Sequence, residues 1–207
     1  MDGSATLLED RSERLKGKFM KAATEVLSQD YFNRPTVTVA RSLLGKYLVR
    51  QNGKGVTAGK IIEVEAYIGP RDLACHASKG RTTRTDVLFG AAGIAYVYLI
   101  YGMYHCLNVV TERVDFPAAV LIRAIEIDGD LIDGPGRLCR AMQIDRSLNR
   151  WDMTTGERLW FEDRAVAIRN SDVGAFARIG VHYAGEWAKK LWRFRLKGSE
   201  SKRGKRR

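Results

Sequence analysis

Apolar positions fall mostly at a period of two, in short runs parted by polar turns. Residues 46–50, 59–67, 95–100, 105–111 and 118–127 read as strands on this pattern, with hairpin turns at residues 53–55 and 101–104. Helical spacing is rarer. Val37, Ala40, Leu43 and Leu44 predict a helix over residues 37–45, with Pro35 in its first turn and Gly45 as its stop. An earlier helix is predicted over residues 19–27, broken by the DYFNRP run, and a later one over residues 137–142, after Gly134-Pro135-Gly136. Two or three further strands end near Leu196. Antiparallel strands with peripheral helices make the fold class α+β, one mixed domain and not a doubly wound sheet. With 45% hydrophobic residues among 207, one core is expected.

The pleat in IIEVEAYIG sets Ile61, Glu63, Glu65 and Tyr67 on one side and Ile62, Val64, Ala66 and Ile68 on the other. The second side is apolar and is expected to face the core. Two carboxylates about 6.6 Å apart then point away from it, given a strand rise of about 3.3 Å per residue. A solvated polar face explains this pattern. So does a cleft in which acid, ring and imidazole converge, because Gly69-Pro70 turns the chain and His76 follows in a loop. Farther along, AYVYLIYGMYH puts Tyr96 and Tyr98 on one face and Tyr101 at a hairpin corner. Tyr101 either packs over its own turn or serves as an exposed wedge between base pairs. Arg123 shares the face of Ala119, Leu121, Ile125 and Ile127, where a charge needs a partner. That partner is either a nearby acid or a phosphate or water beside Glu65.

Charge narrows the choice of partner. The formal net charge is +11, and the five basic residues within residues 201–207 removed from it leave +6. A basic body favours a polyanion, since lysines and arginines near phosphate release condensed counterions. No apolar run approaches the ~20 residues of a membrane span, so nucleic acid is favoured over lipid. Cys75, Cys106 and Cys139 are widely separated and form no C-x-x-C pair, which fits a reducing cytosol and gives no metal site. The first eighteen residues lack the apolar stretch of a signal peptide.

IIEVEAYIGPRDLACHAS, YVYLIYGMYHCLNVV, VLIRAIE, GPGRLCRAM and AGEWAKK, in this order over residues 33–198, together resemble the small monofunctional alkyladenine (3-methyladenine, alkylpurine) DNA glycosylases shared by bacteria and animals. The resemblance implies a curved, open barrel-like antiparallel sheet and a hairpin that enters the DNA minor groove. It implies a catalytic carboxylate at Glu65, helped by Arg123, and a base pocket made by Tyr67, His76, Tyr98 and Asn108. Tyr101 corresponds to the intercalating wedge, and the Ile179 main-chain carbonyl to a contact with the attacking water. Glu63 lies outside the catalytic position and reads as structural or electrostatic. The family often has proline before the glycine that opens the hairpin strand, where this chain has Ala91-Ala92-Gly93. Arg81 and Arg84 read as phosphate contacts at most.

The implied domains are an extension over residues 1–30, the glycosylase domain over 31–198 and a basic tail over 199–207. The implied activity is hydrolysis of damaged purines from double-stranded DNA by a monomer without metal or organic cofactor, in the cytoplasm of a bacterium or the nucleus of a eukaryote. A non-catalytic nucleic-acid-binding module and a hydrolase of free nucleosides are the competing classes.

Overall fold

The computed structural model describes residues 24–199. Among these, one open sheet contains β1 (Glu25–Val26), β2 (Tyr47–Asn52), β3 (Gly55–Ile68), β4 (Ala95–Ile100), β5 (Tyr104–Val110), β6 (Ala118–Ile127), β7 (Asp130–Asp133), β8 (Leu159–Asp163), β9 (Val173–Phe176) and β10 (Arg193–Leu196). Every pairing is antiparallel. Short helices α1 (Gln29–Phe32), α2 (Thr36–Leu43) and α3 (Pro135–Ala141) accompany it, with several 3-10 turns. The α+β expectation holds, and the sheet does not close into a barrel.

β3 is the spine of the sheet. Its 14 residues pair with β6 along one edge, while β2 and then β10 share the other. Glu63 and Glu65 therefore lie on a strand bonded on both sides. The β3–β6 ladder is irregular at one place: Ile61 faces Ile125 and Val64 faces Ile122, yet between them Glu63 faces Ala124. Ile62 and Arg123 are each skipped in turn, and the register recovers. Such an irregularity changes which side chains reach the core. Ile61, Val64 and Ala66 belong to the main core together with Ile122 and Ile125. Simple alternation had placed Ile61 with the acids and Ile125 and Ile127 with Arg123. The skipped residues reverse those assignments.

The main core gathers Phe32, Leu43, Leu48, Leu138 and Phe161 around this ladder. A smaller cluster of Cys75, Val87, Leu88, Tyr96 and Ala119 packs beneath Tyr67 and Tyr98. The acids lie between apolar masses, with Glu63 and Glu65 only 1% and 0% exposed. A solvated polar face is excluded.

Local corrections have local causes. Residues 19–23 of the first predicted helix lie outside the described residues, and its end is extended instead, because Glu25 and Val26 pair with Asp163 and Glu162 of β8. The predicted break at residues 30–35 is overlapped by the single turn α1, which buries Phe32 in the core. Pro35 stands just before α2, not within it, and α2 buries Thr36, Val39, Ala40 and Leu43, leaving Val37 half-buried. Gly45 ends it at φ +81°, where an added Cβ would approach Ile168 to 2.6 Å. His76 opens a 3-10 turn, His76–Lys79, in the segment expected to be a loop.

Candidate active site

Five regions converge on a recess of about 300 Å³ lined by Tyr67, His76, Tyr98, Asn108, Arg123 and Ile179, with Tyr101 at its rim; His76 comes from its 3-10 turn. Tyr67 comes from β3 and Arg123 from β6. Tyr98, Tyr101 and Asn108 come from the β4–β5 hairpin, and Ile179 from the segment after β9.

Glu65 lies beneath this recess with two hydrogen-bond donors and one guanidinium around its carboxylate. The Ile179 N–H donates to Oε1 at 2.8 Å, the Tyr67 hydroxyl donates to Oε2 at 2.8 Å, and Arg123 Nε is 3.5 Å from Oε1. Burial pushes the Glu65 carboxyl above its ordinary value of 4.5, against the pull of Arg123, Ile179 and Tyr67 and with help from Glu63. The result is a strengthened base held in one orientation by its donors. Arg123 Nε also donates to Glu63 at 3.0 Å, and Arg193 and Arg195 bind the same carboxylate. The ion-pair reading of Arg123 is the one this geometry shows: it pairs with the buried Glu63 and lies beside Glu65. Glu63 is an electrostatic anchor shared by three guanidinium groups.

The ring wall has an internal order. His76 meets Tyr98 edge to face, with centroids 4.6 Å apart and planes at 75°. Its Nδ1 is 2.9 Å from the Tyr96 hydroxyl, so Tyr96 backs His76 from the neighbouring cluster. Burial of the His76 ring, with a smaller contribution from Arg84, lowers its pKa from 6.5 to about 4, and the imidazole is neutral at physiological pH. Asn108, 4% exposed, donates from Nδ2 to the Tyr96 carbonyl at 3.2 Å. Burial also raises the hydroxyls of Tyr67 and Tyr98, which therefore stay protonated.

Tyr101 is 82% exposed at the hairpin tip. The Met103 N–H closes the turn on the Ile100 carbonyl, and both intervening residues have positive φ, 53° at Tyr101 and 69° at Gly102. Glycine adopts such a conformation freely, whereas a tyrosine is strained in it. Packing of Tyr101 over its own turn is ruled out by its exposure. Arg81 pairs with Asp86 and Asp115, while Arg84 lies over the Tyr98 ring at 5.2 Å from its centroid.

Local pattern did not single out Arg178 and Asp72. Arg178 forms a forked ion pair with Asp72 at 2.5 and 2.8 Å, with both side chains fully buried. The same guanidinium donates to the carbonyls of Ala66 and Trp187. Asp72 accepts from the N–H groups of Ile68 and Ala74. The pair ties the exit of β3 to the segment that supplies Ile179. Arg178 stands immediately before Ile179, but its partner lies 106 residues away. Only the fold reveals that contact.

The profile of a family described as methylpurine-DNA glycosylase matches residues 30–200. The chain belongs to the methylpurine-DNA glycosylase family. A relative from Methanocella arvoryzae is 52% identical over 190 residues, covering 84% of this chain and 94% of its own. Relatives from Legionella pneumophila strain Corby and Myxococcus xanthus are 50% and 47% identical over 174 and 179 residues. They cover 83% and 84% of this chain, and 94% and 91% of their own. All three are named, provisionally, 3-methyladenine DNA glycosylases. Membership of the methylpurine-DNA glycosylase family makes this chain a DNA glycosylase, a hydrolase with DNA as its substrate.

Proposed function

We propose that the chain excises alkylated and deaminated purines from duplex DNA, taking 3-methyladenine, 7-methylguanine, hypoxanthine and ethenoadenine as substrates and leaving an abasic site. The buried Glu65 carboxylate beneath a ring-lined recess carries this reading. Tyr101 fills the space vacated by the damaged nucleotide, which turns into the recess. Extrusion costs a few kcal/mol and is cheapest for a damaged pair, so selection begins before chemistry.

Breaking the glycosidic bond sends its electron pair to the base and develops positive charge at the sugar C1′. Glu65 stabilises that charge and takes a proton as water oxygen bonds to C1′. Arg123 and the Ile179 carbonyl hold the water. An alkylated base already carries positive charge and leaves readily, whereas neutral lesions depend on hydrogen bonds and fit. Tyr67, His76 and Tyr98 form the walls for the base, and Asn108 crowds the exocyclic amine of normal guanine. No step requires a metal or organic cofactor, and a monomer suffices.

An excision panel with one lesion per duplex oligonucleotide tests the reading. Released methylpurine together with an abasic, uncleaved strand is the expected result. Normal binding of such duplexes without release of any base would overturn it.

A further inference from the structure

One face of Tyr67 is already occupied. The Arg178 guanidinium carbon lies 4.7 Å from the Tyr67 ring centroid and 5.2 Å from that of Trp192, so the cation lies over both rings. Tyr67 lines the recess with its remaining surface, and Arg178 does not reach it. A cation held on one face of an aromatic ring draws on the same quadrupole that attracts a cation to the other. Full burial makes the effect permanent, because neither water nor salt screens Arg178. Arg84 over Tyr98 differs, being exposed and free to withdraw.

We propose that Arg178 is a specificity-determining positioning residue: by lying on the outer face of Tyr67 it weakens that ring's preference for cationic purines and so widens the substrate range toward neutral lesions. The proposal rests on the reading of Tyr67 as a wall for the extruded base. Asp72 sets the strength of the effect. Its forked pairing compensates the charge of Arg178 while leaving the positive member of the pair against the ring. The Nε of Arg178, which has no hydrogen-bond partner among the described residues, agrees with this account, since the guanidinium lies against ring faces at the cost of one buried donor.

The readout is the ratio of excision rates for 7-methylguanine and hypoxanthine, each relative to wild type, which cancels the intrinsic lability of the two bases. Replacing the pair by neutral groups, Asp72→Asn with Arg178→Gln, raises that ratio by about threefold to tenfold. Asp72→Asn alone leaves the cation uncompensated and lowers it. Arg178→Lys keeps the charge and the wild-type ratio, even where stability falls. In a Tyr67→Leu background the paired substitution no longer moves the ratio, because the effect travels through the ring. Should the paired variant not fold, the opposite shift in Asp72→Asn still decides. A purely structural role lowers both rates equally in every variant, and an unchanged ratio overturns the proposal. Failure of wild type to release either base would instead overturn the functional reading.

Discussion

At the scale of single residues, Glu65 shows a conflict between stability and chemistry. Its carboxyl is raised above 4.5 chiefly by burial, so the folded chain binds that proton more tightly than the unfolded one does. The stability it contributes is present at low pH and lost as pH rises through the folded value. At neutral pH the ionised group is a net cost. Glu65→Gln therefore leaves the melting temperature unchanged or higher while excision falls by at least ~100-fold. A large drop in melting temperature, or retained turnover, would remove Glu65 from its role. The acidic limb of the rate profile lies above the ordinary carboxylate value, since protonated Glu65 accepts nothing from water. His76 adds no limb near 6.5, its pKa being near 4. A rate profile that breaks near 6.5 and loses that break in His76→Gln would contradict this assignment. The pleat places Glu63, Glu65 and Tyr67 on one side, and the family resemblance alone singles out Glu65 from Glu63. The burial of Glu65 was not legible, since Arg123, Arg178 and Ile179 come from remote parts of the chain.

At the scale of elements, the β4–β5 hairpin was read almost whole, for alternation and a Tyr-Gly corner are local signals. Its strain was not visible. Tyr101 holds φ 53° with 82% of its surface exposed, so packing does not account for the conformation. Asparagine tolerates the left-handed region better than tyrosine does. Tyr101→Asn is therefore expected to keep or raise the melting temperature while weakening retention of an extruded nucleotide, read with a fluorescent base analogue in the duplex. Undiminished extrusion would end the wedge assignment. The β3–β6 ladder shows the limit of alternation. Period-two reading carries through a strand only while every residue is paired, and the skipped Ile62 and Arg123 sent Ile61 and Ile125 to the core. Nothing in either strand alone marks that place.

At the scale of the whole molecule, the sheet brings β3, β6, the hairpin and the segment after β9 to one recess, while charge governs how DNA is found. The basic body is legible from composition, but which arginines remain free is not: Arg81, Arg123, Arg178, Arg193 and Arg195 are all engaged by acids. These pairs are already netted in the formal charge of +11, five units of which come from the basic residues within residues 201–207. Binding of undamaged duplex should fall steeply with salt, each neutralised phosphate adding about 0.9 to the slope of log affinity against log salt. Removing residues 201–207 is expected to make that slope shallower by one or more such increments and to weaken binding at low salt. Single-turnover excision at saturating enzyme should be unchanged, because no residue of the recess is lost. An identical slope would mean that the tail does not touch DNA, and a slower excision step would mean that it acts on the recess itself.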